Sequence, residues 1–211
     1  MSKNLVMLGS GGHAKVLFSL LQRKGLKLWG VISSNRLLDK NCFYGFNQIS
    51  SDDEFIKKFS PEEFTLVNGI GSLPGLDARW LVAKKYHDAG FRFKTCIDNT
   101  SFVDNSVKLE EGVQILAGAI VQPGVSIGSQ TIINTTASID HDCKIGSNVH
   151  IAPGAVLSGE VVIEPMAHIG PGSIVSNGLL IKYGAIIGAG SSILRNVKKK
   201  QKIIPAKLRS F

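Results

Sequence analysis

The chain has 211 residues, 44% of them hydrophobic, and a formal net charge of +8, which leaves room for one large domain or two small ones. No apolar run reaches the about 18 residues of a membrane span, and the opening MSKNLVMLGSGG meets Gly and Ser too early for a signal peptide, so a cytoplasmic protein without membrane insertion is expected. Cys42, Cys96 and Cys143 are odd in number and lack CxxC spacing, which argues against a disulfide framework and a cysteine metal site. The densest basic run, Lys198 to Lys202, has no RNA-binding signature beside it; it reads as a solvated face or an attractor of small-substrate phosphates, not as a nucleic-acid site.

The first hundred residues alternate short apolar runs with helical patterns. Strands are predicted over 5–8, 26–32 and 64–70, and helices over 12–24, 52–59 and 76–89, which gives an α/β, Rossmann-like domain over 1–98. Between the first strand and first helix lies Gly9-Ser10-Gly11-Gly12-His13-Ala14, a loose G-x-G-x-x-[GA] fingerprint. Its glycines permit a tight turn, and the helix N-terminus offers free N–H groups to a phosphate. The next strand ends in Ser33-Ser34, where a dinucleotide-binding fold offers an acid to the ribose, so a sugar nucleotide fits better than NAD; a turn required only for packing is the competing reading.

From Val103 the rhythm changes. Every sixth residue is aliphatic, from Val103, Leu109 and Ile115 through Ile187 and Ile193, sixteen positions without a miss. Four places after each stands a smaller or β-branched residue, as at Ala119, Ala137, Cys143, Ala155 and Ala167, with Gly, Asn, Asp and Pro crowding the places between. Two inward positions per hexad and a tight bend after each short strand predict a parallel β-solenoid over 99–211, three hexads to a triangular coil and about five coils in all.

Of the five histidines, His141 is third in its hexad, whereas His150 and His168 are sixth, so none takes an inward position and all three are expected on the outer wall. His141 stands between Asp140 and Asp142; an imidazole oriented by a carboxylate is suited to general base work, though an exposed turn charged for solubility would look the same. His150 is expected near His141 but not stacked on it, and His168 is expected to stack on His150. Offsets of nine and eighteen residues do not promise the convergence a metal needs, so no metal is assigned. Gly159, eighteen residues after His141, is expected one coil higher at the same corner, where a backbone N–H could meet a developing oxyanion or simply serve a turn.

The stretches NLVMLGSGGHAKV, IINTTASIDHDCKIGSNVHIAPGAVLSG and IIGAGSSILRNV, with Ile204-Pro205-Ala206-Lys207, resemble the NeuD/PglD group of sialic acid O-acetyltransferases and UDP-4-amino-sugar N-acetyltransferases, whose hexapeptide repeats form a left-handed β-helix. The resemblance implies direct transfer from acetyl-CoA to a nucleotide-linked 4-amino-4,6-dideoxy sugar for surface-glycan biosynthesis, with O-acetylation of a sialic or nonulosonic acid as the alternative. It implies His141 as base, Asp142 as its orienting group, His150 near the acetyl donor, Asn134 on substrate and Gly159 as oxyanion donor. Gly188, Ala189 and the basic C-terminal segment would border coenzyme A, and Gly9, Ser10, Gly11, Gly12 and His13 would hold the nucleotide. The family also implies a homotrimer. Members that grip a uracil nucleotide look richer in acids after the second strand, where this chain has Ser33-Ser34-Asn35-Arg36. A non-catalytic solenoid scaffold that senses a nucleotide is the reading from another class.

Overall fold

The computed structural model describes residues 3–35 and 37–205, so Arg36, Ala206 and Lys207 lie outside the described residues. Two compact units divide between Asn99 and Thr100.

In the first unit, β1 (Asn4–Leu8), β2 (Leu28–Ile32), β3 (Asn47–Ile49), β4 (Phe64–Asn68) and β5 (Arg92–Phe93) form one parallel sheet in the order β3-β2-β1-β4-β5. The connecting helices are α1 (Gly12–Arg23), α2 (Asp52–Lys58) and α3 (Ala78–Asp88). The main elements were legible because β1, β2 and β4 are short apolar runs buried in the sheet, as strands covered on both faces must be. The edge strands β3 and β5 were not, since Asn47-Gln48 and a two-residue pairing leave no apolar signal. One side of the sheet is packed by an aromatic core that includes Phe55, Phe64, Tyr86 and Phe91.

The second unit is a left-handed β-helix. All sixteen periodic aliphatics are the second residue of a two-residue strand, and each strand as far as Ile174–Val175 pairs in parallel with the one eighteen residues later. Three faces result: one carries Phe102–Val103 to Ser192–Ile193, the next Lys108–Leu109 to Leu180–Ile181, and the third runs from Gln114–Ile115 through His150–Ile151 and His168–Ile169 to Lys202–Ile203. Val103 and Leu109 are half-buried; the other fourteen aliphatics are buried, each such side chain contributing about 1.5–3 kcal/mol of hydrophobic stabilisation. A residue three places after the aliphatic turns each corner in the left-handed region, from Gly112 at φ 72° to Gly190 at φ 66°.

Candidate active site

His141 and Asp142 occupy the corner that follows Ser138–Ile139, and their main chain is fixed by the coils on either side. Asp142 N–H donates to Pro123 O (3.0 Å) and Glu160 N–H donates to His141 O (2.9 Å). Asp142 is one of the left-handed corner residues, φ 57°, a conformation its short polar side chain tolerates better than most. From there its Oδ2 meets His141 Nδ1 at 2.9 Å, while Asp140 Oδ1 accepts the His141 backbone N–H at 2.8 Å. The two acids therefore divide the work: Asp140 holds the turn and Asp142 holds the ring. The hydrogen bond to Asp142, with help from the surrounding carboxylates, raises the His141 pKa above its ordinary value. Nδ1 is thus committed to Asp142 and Nε2 is the nitrogen left for chemistry, on a side chain that is half exposed.

Two glycines make room for this pair. A Cβ on Gly159, one coil above, would lie 2.5 Å from His141 Nε2 and 2.6 Å from Cε1, so the imidazole rests on bare main chain. Gly159 is buried beneath the ring, and its N–H has no hydrogen-bond acceptor among the described residues. A Cβ on Gly124, one coil below, would collide with Asp142 Oδ1. Sequence reading missed Gly124, although the eighteen-residue register that pointed to Gly159 points to it equally from Asp142.

His150 and Asn134 form a second group. His150 pairs in register with His168, and their rings meet edge to face with centroids 4.9 Å apart. Both histidines point outward, as their hexad position dictates, yet each is only 9% exposed, which the expectation of an outer-wall position did not foresee. Thr135 N–H donates to Asn134 Oδ1 (2.8 Å), which turns Asn134 Nδ2 toward His150 Nε2 at 3.0 Å. The amide nitrogen is the donor of this contact and Nε2 its acceptor. Burial lowers the pKa of His168. The Lys144–Ile145 face separates His150 from the His141 corner and the Ser138–Ile139 face separates Asn134 from it, so one solenoid does not bring His141 and this group together.

Gly188 continues the column of Asn134, Ala152 and Gly170, each eighteen residues on; it is half-buried beneath Ile203 and Pro205, and Ala189 beside it is exposed. Cys143 is fully buried, its thiol directed to Ser158 O and its pKa pushed up to about 11 by burial, which removes it as a nucleophile near neutral pH. Among the described residues no His, Cys, Asp and Glu cluster could hold a metal, and no helix is long and apolar enough to cross a membrane.

In the first unit, Gly9, Ser10, Gly11, Gly12 and His13 line one wall of a cleft of about 750 Å³ at the carboxyl ends of β1, β2 and β4. Gly9 takes φ 81°, and α1 begins at Gly12. Strand order reverses between β1 and β4, the place where open α/β sheets hold ligands. The opposite rim carries Asp52 and Asp53 from the start of α2, with Asp53 paired to Lys85 at 3.0 Å. Acids thus reach the cleft from the start of the helix predicted over 52–59 rather than from the end of the second strand.

Residues 4–85 match the PglD N-terminal domain, and residues 125–159 match the bacterial transferase hexapeptide repeats. GDP-perosamine N-acetyltransferase from Caulobacter crescentus, solved as a histidine variant with CoA and GDP-perosamine, is 28% identical with a TM-score of 0.85, the match covering 100% of this chain and 99% of that one. The acetyltransferase domain of PglB from Neisseria gonorrhoeae, in complex with acetyl coenzyme A, is 27% identical with a TM-score of 0.84, covering 96% of each chain. WeeI from Acinetobacter baumannii, 22% identical with a TM-score of 0.84 over 99% of each chain, shares the fold. No curated protein matches the sequence.

Proposed function

For a chain that belongs to the PglD-type hexapeptide-repeat sugar acetyltransferases, we propose N-acetylation of the amino group of a nucleotide-linked 4-amino-4,6-dideoxy sugar, with acetyl-CoA as donor and His141 as general base. The observation that carries the reading is the His141–Asp142 pair resting on Gly159: a half-exposed, oriented ring and an amide N–H without an acceptor among the described residues lie together at one corner. His141 Nε2 takes a proton as the sugar amine attacks the thioester carbonyl, Asp142 stabilises the imidazolium that forms, and Gly159 N–H donates to the oxyanion before CoA thiolate leaves. No covalent enzyme intermediate is required.

Asn134, partly exposed and anchored by His150, contacts substrate or the acetyl end of the donor; the Asn134–Ala152–Gly170–Gly188 column and the basic segment at Lys198–Lys202 border the rest of coenzyme A. Because His141 and Asn134–His150 stand apart on one solenoid, a site that uses both takes them from two chains, which fits a homotrimer with its active sites between neighbouring solenoids. The glycine loop holds the acceptor's nucleotide. The same base could serve a hydroxyl, and O-acetylation of a sialic or nonulosonic acid is the second reading.

The test is release of CoA thiol from acetyl-CoA in the presence of UDP- and GDP-linked 4-amino-4,6-dideoxyhexoses and free sialic acid, with wild type and His141→Ala. Turnover on an amino sugar nucleotide, lowered by at least about a hundredfold in the variant, is the expected result. Turnover on sialic acid alone would replace it with the second reading.

A further inference from the structure

Arg79 stands where physical chemistry disfavours a cation twice over. It is 2% exposed, and an arginine is rarely buried so completely. It is the second residue of α3, at the positive end of the helix dipole, and neither an acidic residue in the first turn nor a side-chain cap from Asp77 offsets that end. Burial lowers its pKa to about 9, which still leaves it charged at neutral pH. The guanidinium donates from Nη1 to the main-chain oxygens of Asn68 (2.9 Å) and Ile70 (2.6 Å), while the buried Asn68 returns a hydrogen bond from Nδ2 to Arg79 O (3.4 Å). These bonds brace the end of β4, where the wall comes so close to β1 that a Cβ on Gly69 would lie 2.6 Å from Leu8 O. Arg79 therefore shapes one wall of the cleft whose other wall is the glycine loop, and the N-termini of α1 and α3 both open onto the same space.

We propose that Arg79 is a positioning residue of this cleft, which holds the Asn68–Ile70 wall against the glycine loop and supplies the buried positive charge that favours the diphosphate of a bound nucleotide. The inference rests on the reading of the cleft as the acceptor's nucleotide site. It names the part of the ligand that Arg79 serves: the anionic diphosphate, not the base or the sugar. The guanidinium is held within the protein, where its charge is screened by solvent less than at the surface, so its attraction for an anion in the cleft is correspondingly stronger.

The test measures binding of UDP, GDP, uridine and guanosine to the full chain by calorimetry, for wild type, Arg79→Met and Arg79→Lys. Wild type is expected to prefer one diphosphate over its nucleoside. Arg79→Met should lose at least about tenfold in affinity for that diphosphate with nucleoside binding unchanged, and Arg79→Lys should recover most of the loss. If Arg79→Met does not fold, Arg79→Gln against Arg79→Lys gives the same comparison. Equal loss of diphosphate and nucleoside, or no loss of either, overturns the inference while leaving the cleft a nucleotide site. Failure of wild type to bind any of the four overturns the nucleotide reading itself.

Discussion

Gly159→Ala separates the proposed site from a merely well-packed corner. The new methyl would sit 2.5 Å from His141 Nε2, and an ordinary contact begins near 3.4 Å, so the ring must retreat by about 0.9 Å. The backbone of Gly159 is not in the left-handed region, so alanine brings no main-chain strain of its own. The imidazole is half exposed and can swing into solvent, so the cost to stability should stay below about 1 kcal/mol, or about 3 °C in Tm for a chain of this size. Catalysis is far less forgiving. A base misplaced by about 1 Å commonly loses about a hundredfold in rate, equivalent to about 2.7 kcal/mol of transition-state stabilisation. The assay is CoA thiol release at saturating acetyl-CoA and acceptor, beside a thermal melt. A folded Gly159→Ala protein with wild-type kcat would refute the reasoning, because it would mean that the position of the His141 ring over Gly159 does not matter.

His141→Ala should lower kcat by roughly a hundredfold to ten-thousandfold in the same assay, the range for removal of a general base. Asp142→Asn removes the partner that raises the His141 pKa, and a base works only when deprotonated; the rising limb of the kcat/KM pH profile should move to lower pH, with the same acceptor in both assays, and the plateau should fall. Cys143→Ala should keep its turnover and lose about 1 kcal/mol of stability by denaturant melt, because the thiol is buried and protonated; loss of activity in a folded variant would point to covalent transfer. Ile163→Ala, on a fully buried rung between two coils, should cost about 2–5 kcal/mol by the same melt.

The solenoid was legible because it repeats one local rule: an aliphatic at every sixth place can be buried only if the chain bends between strands and the coils stack. That rule also fixed which residues lie over one another, and so placed Gly159 over His141. It could not say what lies on a different face. His150 is nine residues from His141, yet the Lys144–Ile145 face intervenes, and the partner that His150 does meet, Asn134, comes from the coil below. The orienting acid was likewise hidden, since Asp140 and Asp142 flank His141 symmetrically in sequence. The left-handed backbone of Asp142 decides between them. In the first unit the glycine loop was legible as a local motif, whereas Arg79 was not, because a lone arginine in a helical pattern gives no sign that it is buried.

The corners carry a further argument about where function lies. From residue 112 to residue 190 every sixth residue is left-handed, and glycine fills this place at 112, 118, 124, 154, 172, 178, 184 and 190. The others are Gln130, Thr136, Asp142, Asn148, Glu160 and Met166, all within the coils that also carry Asn134, His141, His150 and Gly159. A side chain in this conformation costs about 1 kcal/mol, so between residues 112 and 190 the strained corners gather around the candidate site, with Gly154 the one glycine among them, while the corners at 112–124 and 172–190 turn on glycine. At Asp142 the strain has a visible return, since the same backbone angle aims the carboxylate at His141. Asp142→Gly should therefore stabilise the fold by up to about 1 kcal/mol while lowering kcat, and Glu160→Gly should give the stability with little loss of rate, as Glu160 makes no hydrogen bond to the ring. Melting curves and thiol release on the two variants check this together. A more stable Asp142→Gly protein that keeps full activity would show that the corner strain serves the turn alone.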